Sequence, residues 1–218
     1  MLTLNSSGSM ADNSNKEIKI AVFDLNKTFY NKSSKDEFFK FISTKKPHKV
    51  AYYVQMLYYK ALLKMHQIRQ TEFKENFFNY LDNIPPKQVK AYAREFWEQE
   101  YPENFNQEIK ERLDKLKKDG VQVFCATGGL EIYVEPLFEL YKIDGFFGTK
   151  ANYTDNTYLV DGKACKNEEK IARLDEHFGD KKYRIVEAYS DDKEEIVKQA
   201  DKAWLVKDGE LKPYKKQT

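Results

Sequence analysis

Hydrophobic and polar positions along this chain fall into blocks of two different periods. Residues 18–25, IKIAVFDL, are a short apolar, β-rich run that gives way to polar Asp24, Asn26 and Lys27. A buried strand that delivers polar groups at its carboxyl end is the usual opening of an open α/β sheet. Over residues 33–105 the stretch is rich in aromatics, and its apolar positions recur at helical spacing. Four segments predict helices: DEFFKFI, HKVAYYVQMLYYKALLKMHQI, TEFKENFFNYLDNI and PKQVKAYAREFWEQEY. Thr71 suits an N-cap, and Pro85-Pro86 opens the last helix. No strand pattern interrupts them, so the stretch reads as a helical insertion.

Strand and helix patterns then alternate. NQEIKERLDKLKKDG is an amphipathic helix stopped by Gly120. VQVFCAT (121–127) predicts a strand, and a helix is expected over about 130–141. Residues 146–162 hold short β-like pieces with turn signals at Asp155-Asn156 and Asp161-Gly162. A helix over 167–178, a strand over 183–190 (YRIVEAYS), a helix over 193–200 and a last strand at AWLV complete the pattern. The expected architecture is α/β, a doubly wound and mostly parallel sheet. Its core comprises residues 17–32 and 106–218, and residues 33–105 form an inserted helical cap.

Composition narrows the function classes. Of 218 residues 41% are hydrophobic, enough for a core, and 37 Lys and Arg against 35 Asp and Glu leave a net charge of +2. Such a small excess gives no reason to expect nucleic acid as a partner. Two cysteines, Cys125 and Cys165, do not make a disulfide framework, so a reducing, cytoplasmic setting is expected. Residues 1–16 have neither a basic segment nor an apolar run and read as a disordered polar tail rather than a signal peptide. No apolar stretch approaches the ~20 residues that span a bilayer.

In doubly wound sheets, sites collect at the carboxyl ends of strands. Three of these ends carry chemistry. Asp24 can attack phosphorus and form an acyl phosphate, with a cation needed to offset repulsion between carboxylate and phosphate; equally, an aspartate there can cap a turn, and Thr28 beside it can donate locally. In VFCATGG, Thr127 offers a hydroxyl while Gly128 and Gly129 open backbone N–H groups to an anion; an ordinary strand-to-helix turn with Thr127 as its cap has the same appearance. In VEAYSDDKEEI, Asp191, Asp192, Glu194 and Glu195 cluster as hard oxygen ligands would, or as acids at a helix N-terminus do. Lys166 and Lys170, in ACKNEEKIARL, can bring a fixed positive charge to a phosphate or lie on a solvated helix face.

The order Asp, Thr, Lys, acidic loop, together with CATGGLEIYVEPLFELYKIDGFFGTK and DGKACKNEEKIARL, resembles the haloacid dehalogenase superfamily over about residues 18–206. It resembles in particular its phosphoserine-phosphatase-like branch with a helical cap. The resemblance implies a Mg²⁺-dependent phosphohydrolase acting through an aspartyl-phosphate on a small phosphorylated substrate. Asp24 would be nucleophile and metal ligand; Thr127 and the Gly128 amide would hold phosphoryl oxygens. Lys170 matches the motif lysine, with Lys166 in reserve, and Asp191 would be a metal ligand. The chain departs from the pattern twice. Asn26 stands where the family has an aspartate two residues after the nucleophile; it keeps a backbone carbonyl for the metal but cannot transfer protons, a step that contributes roughly 10²–10⁴-fold. Glu195 stands where a second aspartate follows Asp191 by four residues, with Asp192 and Glu194 as alternatives. A weakened relative that binds a phosphorylated ligand without efficient turnover is the competing reading.

Caps in this fold set specificity and exclude water. The segment VAYYVQMLYYKALLKM is apolar nearly all round and is expected to be a helix buried in the cap bundle. Contact with a lipid-like substrate or a membrane surface, with Lys60 and Lys64 at headgroup level, is the sharper but not the expected reading. Relatives in this branch that act on phospholipid headgroups make lipid phosphates a substrate class to test. His48, His66 and His177 lack metal-ligand spacing, and Cys125 reads as a small buried hydrophobe. Substrate identity and oligomeric state are not legible.

Overall fold

The structure is a computed structural model that describes residues 17–215. The tail expected over residues 1–16 lies outside the described residues. The chain runs through β1 (Ile18–Phe23), then the helical segment of α1 (Ser34–Lys45), α2 (Tyr52–Lys64), α3 (Gln70–Phe77) and α4 (Pro86–Glu100), with 3₁₀ turns at Pro47–Ala51 and Phe78–Leu81. There follow α5 (Gln107–Lys118), β2 (Gln122–Leu130), α6 (Glu131–Val134), α7 (Leu137–Leu140), β3 (Gly145–Thr149), β4 (Ala151–Thr154) and β5 (Thr157–Val160). The last elements are α8 (Glu168–Phe178), β6 (Tyr183–Ser190), α9 (Glu195–Gln199), β7 (Lys202–Lys207) and β8 (Glu210–Pro213).

The main sheet has the order β3-β2-β1-β6-β7-β8 and is parallel except for β8. The chain steps from β1 to one side through β2 and β3, then crosses to the other through β6 and β7. The order therefore reverses at β1, and the crevice at its carboxyl end is where such sheets place ligands. β1 and β2 are buried on both faces. Ile20, Val22, Phe124 and Ala126 pack into one core, under α8 and α9, and Ala21, Phe23, Val123 and Cys125 into the other. A central parallel strand must be apolar on both sides, which is why IKIAVF and VFCA read as continuous runs.

The second core continues without a break into the helical segment. Phe38 of α1 stacks on Tyr133 of α6 at 5.0 Å, and the Trp97 indole of α4 donates to the Tyr133 carbonyl at 2.6 Å. Where the segment leaves and rejoins the sheet, the Asn31 N–H donates to the Asn104 carbonyl (3.0 Å) and the Asn106 N–H to the Phe29 carbonyl (2.9 Å). The inner helices α1 and α4 are thus fixed to the sheet domain by buried aromatic area, the largest stabilising contribution available here.

Four expectations need correction. The helix expected over 130–141 is two short turns, because β2 runs on to Leu130 and Pro136, lacking an N–H, separates α6 from α7. The pieces in 146–162 divide: β3 joins the main sheet, while β4 and β5 form a separate hairpin through Asp155 (φ 50°) and Asn156 (φ 64°). The strand at AWLV does not end the sheet, since Asp208 (φ 53°) and Gly209 (φ 83°) turn the chain back as β8. The fourth concerns α2. Its segment was expected to be buried, yet only Met56 of α2 is, and Val50, Tyr53, Val54, Leu57, Tyr58 and Met65 are exposed. An all-round apolar sequence leaves its facing undetermined; here α2 packs on α3 with one side only.

Candidate active site

Asp24 follows β1 directly, its N–H bonded to the Tyr189 carbonyl of β6 at 2.8 Å. Pairing on both edges fixes the strand, and the carboxylate emerges into a cleft of about 340 Å³. Lys170, in the first turn of α8, is 1% exposed and donates to Asp24 Oδ1 at 2.7 Å and to the Glu194 carboxylate. Ser190 Oγ donates to the same Glu194 at 3.1 Å. A buried ammonium is costly without partners. Burial alone would lower the Lys170 pKa, but the two carboxylates outweigh it and hold the group firmly protonated. Asp191, also on the cleft wall, has its pKa raised by burial and by the charge of Glu194.

Asn26 is held by three hydrogen bonds to two residues. Its Oδ1 accepts from the Ser34 N–H (2.7 Å) and Ser34 Oγ (2.6 Å), and its Nδ2 donates to Thr127 Oγ1 (3.3 Å). The side chain therefore ties the first turn of α1 to the end of β2. Thr127 is fully buried and is not on the cleft wall; its Oγ1 accepts from Asn26 and from the Gly129 N–H (3.2 Å), which leaves its own proton to donate. Gly128 and Gly129 do line the cleft. A Cβ at Gly129 would meet Tyr133 Oη at 2.7 Å and Val134 Cγ2 at 2.9 Å, so only glycine fits there. Lys27 (φ 54°) and Asn167 (φ 50°), both on the wall, adopt left-handed backbone, a strain that collects at functional sites.

Not every residue picked from sequence arrives. Glu195 is the correction: as the first residue of α9 it pairs with Lys198 at 2.6 Å and is not on the cleft wall. Glu194, the N-cap residue one position earlier, points inward, because successive side chains at a helix start diverge by about 100°. Asp192 lines the cleft. Of the two lysines, Lys170 reaches Asp24, while Lys166 lies along Gly128. Cys125 and Cys165 are free and buried, and burial pushes both thiols up, Cys165 to about 12.

The sequence reading missed the contribution of the helical segment. Ser33, Lys35 and Lys74 also line the cleft. Lys74 is 3% exposed, on α3, with Phe77 and Phe78 three and four residues on and fully or nearly fully buried. A lysine on the apolar face of an amphipathic helix was the available signal. Burial first, then the charges of Lys166 and Lys35, lower its pKa to about 7.

Among the described residues no three His, Cys, Asp or Glu side chains converge as a preformed metal cage. Mg²⁺ does not need one: it keeps several waters and takes one or two carboxylates plus substrate phosphate. Asp24 and Asp191 on one wall fit that demand.

The sheet order, the aspartate at the switch point and the inserted helices define a class, and sequence comparison agrees with it. The family model for haloacid dehalogenase-like hydrolases matches residues 21–193, and the chain belongs to that family. Its fold is similar to that of a protein of unknown function from Bordetella pertussis Tohama I, with TM-score 0.69, 14% identity, and 80% of this chain and 82% of that one covered. It is also similar to a phosphoserine phosphohydrolase-like protein from Francisella tularensis subsp. tularensis SCHU S4 (TM-score 0.56, 20% identity, 81% and 80% covered). A HAD family hydrolase from Salmonella enterica serovar Typhi matches with TM-score 0.62 and 15% identity, over 85% of this chain and 61% of its own. The curated proteins contain no match.

Proposed function

We propose that this chain is a Mg²⁺-dependent phosphomonoesterase with Asp24 as nucleophile, acting in the cytoplasm on a small phosphorylated metabolite or a lipid headgroup. The observation that carries this reading is the contact between Asp24 and the buried, doubly paired Lys170. It sets a buried positive charge against a carboxylate at a strand end that opens on a cleft. Lys170 occupies Oδ1, and Oδ2 takes no hydrogen bond among the described residues, which leaves it for attack.

In the first step an Asp24 oxygen bonds to phosphorus, the ester P–O bond breaks, and the alcohol oxygen takes a proton from water. In the second, water attacks the aspartyl-phosphate, releasing phosphate and restoring the carboxylate. The Gly128 amide would donate to a phosphoryl oxygen, and the buried Thr127 hydroxyl, behind the wall, would serve by holding Asn26 and the Gly129 N–H. Mg²⁺, when bound, would be held by the carboxylates of Asp24 and Asp191 and the Asn26 backbone carbonyl, and would offset repulsion between Asp24 and the phosphate dianion. Glu194 serves by fixing Lys170.

Asn26 supports a second reading, a ligand-binding member with poor turnover. Its amide is committed to Ser34 and Thr127 and carries no titratable proton for the leaving group. Phosphate release from an activated aryl phosphate, with and without Mg²⁺, separates the readings. The enzyme reading expects release by the parent, loss in Asp24→Asn and a gain in Asn26→Asp; no turnover by either the parent or Asn26→Asp would favour the binder.

A further inference from the structure

We propose that the cleft has a second anion subsite, formed by Lys74 and Lys166 with Lys35 beside them, which selects substrates carrying another anionic group besides the phosphoryl group that reacts. This rests on the phosphomonoesterase reading. Three lysines from two domains converge there: Lys35 from α1, Lys74 from α3 and Lys166 from the loop before α8, all on the cleft wall. Built on Gly128, a Cβ would meet Lys166 Cε at 3.0 Å and Lys74 Nζ at 3.5 Å, so both side chains lie over the glycine backbone at the end of β2. Lys35 has Asp36 at 3.0 Å, but Asp36 is shared with Lys60 at 2.7 Å. Among the described residues Lys74 and Lys166 have no carboxylate within ion-pair distance.

Such an arrangement destabilises the empty protein. Lys74 is nine-tenths buried, without a counter-ion and beside two like charges, at the position where it faces the cleft. Lys170, on the same cleft, is by contrast fully compensated by Asp24 and Glu194. The uncompensated cations match a substrate phosphate that carries a carboxylate, a second phosphate or a phosphodiester nearby.

Calorimetric binding of orthophosphate and pyrophosphate to Asp24→Asn in Mg²⁺ buffer tests this without turnover. Pyrophosphate should bind at least roughly tenfold more tightly. Lys74→Met and, separately, Lys166→Met should remove most of that preference while leaving orthophosphate the less affected ligand; thermal unfolding of each variant checks its fold. Equal loss for both anions would assign Lys74 to the reacting phosphate and overturn the subsite. Binding of orthophosphate with no preference for pyrophosphate would overturn the subsite alone, whereas no binding of either anion would overturn the phosphomonoesterase reading as well.

A second, independent observation concerns the outer face of α2. Val50, Tyr53, Val54, Leu57, Tyr58, Ala61 and Met65 recur at helical spacing and are exposed, a continuous apolar stripe on the solvent side. Residues 38–71 contain six lysines and one arginine and no Asp or Glu. Exposed Lys64 and Arg69, at the C-terminal end of the stripe, have no carboxylate within ion-pair distance among the described residues; Lys60 is turned back to Asp36. Aliphatic and tyrosine side chains bordered by cations suit the boundary of an anionic bilayer. We infer that α2 docks on an anionic lipid surface. No helix among the described residues is long and apolar enough to cross a membrane, so the contact would be peripheral.

Co-sedimentation of the full chain with phosphatidylcholine vesicles and with vesicles containing phosphatidylglycerol, alongside sedimentation velocity without lipid, tests the surface. Binding to the anionic vesicles that weakens with salt and is lost in the Tyr53→Glu/Leu57→Glu variant is expected. Failure to bind, or lipid-free dimers that the same double variant dissociates, would overturn it.

Discussion

The parts of the cleft wall supplied by the sheet and by the helical insertion are built on opposite electrostatic plans. At the sheet end, Lys170 is paired with Asp24 and Glu194, and Ser190 closes the network. At the helical end, Lys74, joined by Lys166 from the loop before α8, faces the cleft without a counter-ion among the described residues. The sheet end is satisfied before any ligand arrives and keeps its geometry, as a reacting centre requires. The helical end is unsatisfied, so a ligand that supplies negative charge gains there what the empty protein lacks. On the proposed reading, chemistry sits at the strand ends of the sheet, and selectivity draws on Lys74 of the insertion together with Lys166 of the loop before α8.

The contrast can be broken most strongly at its sheet end. Asp24→Asn should lower turnover by about 10³-fold or more, with stability little changed, because Lys170 keeps Glu194. Lys170→Met should be nearly as damaging to turnover and should also cost roughly 3–5 kcal/mol of stability, read by urea denaturation, since it leaves two buried carboxylates facing each other. Asn26→Asp should raise kcat by about tenfold or more for substrates with poor leaving groups and less for aryl phosphates, whose leaving groups need no proton.

The helical end sharpens the comparison in the other direction. Lys74→Met should stabilise the ligand-free protein by roughly 1–2 kcal/mol at pH 7. The sign follows from linkage. Lys74 titrates near 7 when folded and near ~10.4 when unfolded, so between those values the unfolded chain binds the extra proton, and stability rises with pH. The penalty is complete below pH 7 and disappears towards pH 10. The gain in Lys74→Met should therefore shrink as denaturation is moved from pH 7 to pH 9.5.

The two ends also differed in how far the sequence disclosed them. Asp24 and Asp191 follow strands and Gly128-Gly129 lie in the last residues of β2, and strand periodicity with chain order is enough to bring them together. Lys170 and Glu194 required a helix phase. Lys170 was identified because its helix pattern is long, whereas α9 has one and a half turns, and there a one-residue error exchanged Glu194 for Glu195. Thr127 stood in the right segment, but its depth behind the wall depends on how β2 continues to Leu130. Lys35 and Lys74 reach the cleft through the tertiary placement of α1 and α3; the apolar face around Lys74 signalled its burial but not what it would face. The outward face of α2 was hidden for a related reason, since a segment apolar on all sides carries no moment to orient it.

The central claim is covalent: phosphate passes through Asp24. The most direct test is to quench the protein during turnover of an aryl phosphate with Mg²⁺, reduce it with borohydride and map the peptides. An aspartyl-phosphate is reduced to homoserine, so homoserine should appear at position 24 in the parent and be absent from Asp24→Asn. It should be less abundant in Asn26→Asp, where the restored carboxyl speeds the second step. Phosphate release at full rate with Asp24 never converted, or with homoserine at another aspartate, would contradict the account.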